Sequence, residues 1–129
     1  MGSFDADMKE AESRYFDPLT LASLASEMGS TIVPLLATLH VELKRRHALL
    51  HGAIRSADCV ATGRLVHSLK GSALTFGAKA LADVTRQADL ACRSGNAAET
   101  LLAAQKANDV LEKTISHLNE LLNSHRLGD

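Results

Sequence analysis

From about Phe16 to Ser124 apolar residues recur at three- and four-residue steps, and no stretch alternates apolar with polar, so the chain reads as helical. Asp17 and Pro18 open the first element as N-cap and first helical residue; Leu21, Leu24 and Met28 follow at helical spacing before Gly29 ends it. Ser30 or Thr31 can cap a longer second helix that tolerates Pro34 in its first turn and carries the stripe Ile32, Leu35, Leu36, Leu39, Leu43 and Leu50. Arg46 interrupts that stripe and is expected to snorkel. After a break from Gly52 to Asp58, Ser56 or Asp58 caps a third helix to about Phe76, with Gly77 as its C′ residue. A fourth, with Leu81, Val84, Ala88 and Ala91 or Cys92, closes at Arg93-Ser94-Gly95-Asn96.

The final helix, from about Ala97 to Ser124, has the most regular stripe: Leu101, Ala104, Asn108, Leu111, Ile115, Leu118 and Leu122. Asn108 is its one polar member, expected to bond across the core and fix register. Four long amphipathic helices with short connections predict an all-α fold, an antiparallel up-down-up-down four-helix bundle with a short extra N-terminal helix. The expected division is a flexible N-terminus over 1–15, the bundle over 16–124 and a flexible C-terminus over 125–129.

Composition narrows this further. A chain of 129 residues fits one domain, and with one Tyr, three Phe and no Trp its core must be leucine and alanine. The 14 Lys and Arg against 15 Asp and Glu give no net field to attract nucleic acid or an anionic membrane. Cys59 and Cys92 lack CxxC spacing and read as free, buried or half-buried thiols in a reducing cytoplasm, a disulfide being the lesser alternative. No run approaches the length of a membrane span and no signal peptide is evident, so the expectation is a cytoplasmic protein.

The stretch GRLVHSLKG, Gly63 to Gly71, breaks the pattern. Each glycine weakens a helix interior by about 0.5–1 kcal/mol relative to alanine. At about 100° per residue, Thr62, Leu65, Val66, Ala73 and Phe76 gather around Leu69 on the core face, while His67 lies about 160° away. Val60, Leu74 and both glycines share its side. Arg64 and Lys70 each stand three residues from His67. An inert surface histidine would leave the glycines without a cause. A neutral imidazole can instead attack an activated phosphoryl group, with Lys70 offsetting the added charge and the glycines letting another protein's active site close over the ring.

The run His67-Ser68-Leu69-Lys70-Gly71-Ser72-Ala73, followed by Gly77-Ala78 and Leu81, closely resembles the signature HxLKGS(S/A)xxxG(A) of histidine-containing phosphotransfer (HPt) domains. The resemblance implies that His67 accepts a phosphoryl group on Nε2, that Lys70 helps hold it and that Gly71 clears the approach. It further implies a phosphocarrier without an ATP site, not an enzyme, whose partners are receiver domains of a hybrid sensor histidine kinase and of a response regulator. No cofactor is expected on this chain, Mg²⁺ belonging to the receiver. Consistently, no GxGxxG or GxxxxGK(S/T) loop occurs.

Arg64 as a second phosphate-stabilising cation, Gly63 as further clearance and Val60 with Leu74 as docking contacts rest on spacing alone. Several family members place a polar amide on the following helix near the phosphate; the corresponding place is near Asp89, with Gln87 and Arg86 as neighbours, and a carboxylate there would repel phosphate. The segment SEMGSTIVPLLATL also looks like small stand-alone phosphotransfer proteins, and a monomer is expected.

Other constellations carry less. His47 and His51 could supply two Zn²⁺ ligands, with His40 two turns earlier, but no cysteine or carboxylate completes the set, so no metal site is assigned. Lys44-Arg45-Arg46 is too short for nucleic-acid binding and reads as a solvated face. His117 and His125 have no evident partners. The alternative function is a helical adaptor that binds a receiver or kinase without being phosphorylated.

Overall fold

The structure, a computed structural model, describes residues 14–124. Helix α1 is Pro18–Met28, and a 3-10 turn, Gly29–Thr31, leads into α2, Ile32–Arg55. Then come α3, Cys59–Phe76; α4, Lys79–Arg93; and α5, Ala97–Ser124. Among the described residues there is no strand. Helices α2 to α5 form a ring in chain order, α2 closing against α5, and α3 also touches α5 across the middle. This is the all-α four-helix bundle expected, with α1 as the short extra helix.

The boundaries have identifiable local causes. The Asp17 carboxylate accepts from the Leu19 amide at 3.2 Å, with Pro18 in the first turn. Thr31 precedes α2 but makes no side-chain cap; its hydroxyl donates back to the Met28 carbonyl at 2.7 Å, because the 3-10 turn carries the chain straight from one helix into the next. Of the two candidates for α3, Asp58 is the cap, accepting from the Ala61 amide at 3.0 Å. Gly77 ends α3 in the left-handed region at φ 69°. A Cβ there would stand 2.7 Å from that of Thr20, and the Asp17 amide donates to the Gly77 carbonyl at 2.8 Å, so a side-chain-free residue lets α1 sit on the α3–α4 turn. Asn96 caps α5 by accepting from the Glu99 amide at 3.0 Å.

The core is built from Leu and Ala. Leu50, Leu69, Leu81, Leu111 and Leu118 are fully buried and alternate with Ala73, Ala88, Ala104 and Ala107. Each such leucine contributes about 1.5–3 kcal/mol of transfer free energy. Asn108 is buried and its amide donates to the His47 carbonyl of α2 at 3.3 Å, the cross-bundle bond its place in the stripe implies. Arg46 does more than snorkel: its guanidinium donates to the Ser72 hydroxyl of α3 at 2.9 Å and pins the two helices together.

Residue 15, the last of the segment expected to be flexible, is held by packing. Tyr15 is buried and stacks on His117 with ring centroids 4.1 Å apart, and Phe16 is buried beside it, so the aromatic residues scarce elsewhere close one end of the bundle. Residues 1–13 and 125–129, and with them His125, lie outside the described residues. The expectation of no spanning segment needs amendment: the helical run Pro18–Arg55 is long and apolar enough, by length and composition, to cross a membrane. Its Leu36, Leu43, Leu50 and Ala53 face the bundle core, yet only 6% of its most apolar 18 residues is buried, so core packing does not account for that apolar character.

Candidate functional site

Helix α3 presents two contrasting faces. Thr62, Val66, Leu69 and Ala73 are buried, and the 3.6-residue period then carries His67 outward, where its side chain is 65% exposed. Val60 and Leu74, one turn or more to either side, are exposed as well, and Leu90 of α4 is a third exposed apolar residue. Arg64 is exposed and borders, with His67, an open hollow whose other lining includes Val60, Gly63, Cys92 and Arg93.

The two glycines differ. A Cβ at Gly71 would meet nothing within 4 Å, so that position faces open space next to His67. At Gly63 a Cβ would stand 3.7 Å from Cβ and Sγ of Cys92. Gly63 is half-buried and turned toward α4, which makes it a close-packing position between helices as well as a neighbour of the hollow.

Lys70 lies one turn along from His67 and is half-buried. Its ammonium donates to Asp89 Oδ2 at 2.7 Å, and Arg93, a turn further along α4, donates to the same oxygen at 3.1 Å. Asp89 Oδ1 stands 3.5 Å from His67 Nδ1. One carboxylate, its side chain only 10% exposed, therefore gathers the histidine and two cations. The hydrogen bond from Lys70, with the charges of Arg93, Lys70 and His67, holds the Asp89 carboxyl below its ordinary pKa against the opposing effect of burial. Burial, and then the charge of Asp89, push the Cys92 thiol up, so the free thiol flanking the hollow is kept protonated.

Of the three α4 residues near the expected amide position, only Asp89 reaches the histidine. Arg86 and Gln87 are exposed, and Arg86 pairs with Asp83 of its own helix at 3.6 Å. Arg93 is the residue sequence reasoning missed as part of the site. Its spacing of four from Asp89 is an ordinary helical ion pair, and nothing in one helix tells which such pair faces a histidine on the next.

An exposed histidine on the flank of a four-helix bundle, with a lysine one turn away and an open hollow beside it, suits a carrier that offers its side chain to other proteins. The family model for the Hpt domain matches residues 34–124, and the chain belongs to that family. Among solved structures it is similar to histidine-containing phosphotransfer protein B (HptB) from Pseudomonas aeruginosa PAO1, at 25% identity and a TM-score of 0.76, over 88% of this chain and 96% of that one. No curated protein matches the chain. The chain is a phosphorelay carrier of two-component signalling.

Proposed function

We propose that His67 takes a phosphoryl group from the aspartyl phosphate of one receiver domain and passes it to the aspartate of another. The Nε2 lone pair forms the N–P bond as the P–O bond to the aspartate breaks, and the aspartate leaves as a carboxylate; Nδ1 keeps its proton throughout. Onward transfer is the reverse with a second carboxylate. The observation that carries this reading is the orientation of the ring. Nδ1 is turned toward Asp89 at 3.5 Å, and among the described residues no hydrogen bond or ion pair occupies Nε2 on a side chain 65% exposed.

Lys70, and beside it Arg64, offset the incoming charge; Gly71 leaves room for the receiver's active-site rim; Val60 and Leu74 supply apolar docking contacts. Mg²⁺ belongs to the receiver, and this chain contributes a nucleophile rather than a catalytic apparatus. The carrier works as a cytoplasmic monomer between a hybrid sensor kinase and a response regulator.

The test is incubation with a phosphorylated receiver domain. Wild-type protein should acquire acid-labile, base-stable phosphate, and His67→Gln should acquire none. Label retained in His67→Gln would overturn the site assignment, and stable receiver binding with no label on the wild type would make the chain an adaptor.

A further inference from the structure

Asp89 is an unexpected neighbour for a phosphoryl acceptor. A carboxylate beside the acceptor repels the group that arrives, yet this one is nearly buried and tied to two nearby cations, Lys70 and Arg93. Lys70 and Arg93 donate to its one oxygen, Oδ2, while Oδ1 faces His67. Both cations have long stems, and Arg93 is 66% exposed at the edge of the same hollow as His67 and Arg64, so its head can turn from Asp89 toward a group on the ring.

We propose that Asp89 is a positioning residue: it holds Lys70 and Arg93 beside His67 in the unloaded carrier and competes with the phosphoryl group for them once His67 is loaded. This rests on the carrier reading above. No bond to Asp89 forms or breaks. Its effect is electrostatic, a fixed negative charge that raises the free energy of the phosphorylated carrier and favours passing the group on. Arg93 is thereby assigned as a further phosphate-stabilising cation beside Lys70 and Arg64, drawn from the neighbouring helix.

The two residues should act with opposite sign. With one phosphorylated receiver as donor, the equilibrium share of label on His67 should rise about fivefold in Asp89→Asn, with slower return to the receiver, and fall in Arg93→Gln. Added salt should shrink both differences, which a purely structural role would not produce. Circular dichroism establishes that each variant is folded. An unchanged or lowered share of label in folded Asp89→Asn would overturn the proposal. Should that variant fail to fold, exposed Arg93→Gln decides alone, an unchanged equilibrium overturning the idea. Failure of the wild type to label at all would sink the carrier reading itself and so is distinguishable from failure of this one.

Discussion

On its inner face α3 buries Thr62, Val66, Leu69 and Ala73 against the other three bundle helices, whereas on its outer face Val60, His67, Gly71 and Leu74 stand in solvent. The inner residues are chosen by shape. Leu69 must fill its space, since interiors are packed to crystal-like density. The outer residues make little contact within the chain, so packing does not account for them; a glycine, a histidine and two exposed aliphatics there have to be explained by something that arrives. Stability and transfer should therefore separate cleanly along one helix, and substitutions on the two faces can show whether they do.

The largest effect on stability belongs to the inner face. Leu69→Ala should cost about 2–5 kcal/mol, the range for a fully buried leucine whose cavity relaxes only in part. Urea unfolding measures it, and the phosphoryl transfer rate of the remaining folded protein should stay near that of the wild type. A large loss of transfer at low denaturant would mean that the core residue also sets the geometry of His67, and the two-face picture would fail.

A smaller effect, and in the opposite compartment, comes from Gly71→Leu. The position is exposed with open space where a Cβ would go, so the bundle should accept the side chain and gain slightly in helix propensity. The leucine would instead stand where the receiver must close, and transfer should slow by about tenfold or more, the loss expected when a reacting centre is held off its productive distance. Stopped-flow or quench kinetics against one receiver reads this directly. Wild-type rates in a folded variant would remove the steric account of Gly71.

Much of this comparison is legible in one dimension. Asp17-Pro18, Asp58, Gly77 and Asn96 mark helix ends by local chemistry, and a wheel drawn for α3 alone turns His67 outward, because period and capping are properties of a single helix. What lies on the neighbouring helix is not. The grip of Asp89 on Lys70 spans 19 positions and that of Arg46 on Ser72 spans 26; each depends on how two helices are rotated against each other. Tyr15 is hidden from a linear reading for the same reason: a polar terminal stretch carries one ring whose partner, His117, comes from the far end of the chain. The candidate site was thus readable as an exposed histidine with a lysine but not as a cluster of charges across two helices.

Gly63 tests the boundary between the faces, and its effect should be the smallest. Its place in the GRLVHSLKG run suggests clearance for a partner, yet the structure turns it toward α4, where an added Cβ would meet Cys92 at 3.7 Å, an ordinary van der Waals distance. Alanine fits there without moving either helix. Gly63→Ala should then raise stability by about 0.5–1 kcal/mol through helix propensity and lower unfolded-state entropy, with transfer unchanged. Thermal unfolding and the same kinetic assay suffice. A stabilised variant with normal transfer would leave Gly71 as the glycine that clears the approach. Slowed transfer would mean that the hollow bordered by Gly63, Arg64 and Arg93 takes up part of the receiver, moving the outer face of α3 one turn toward its N-terminus.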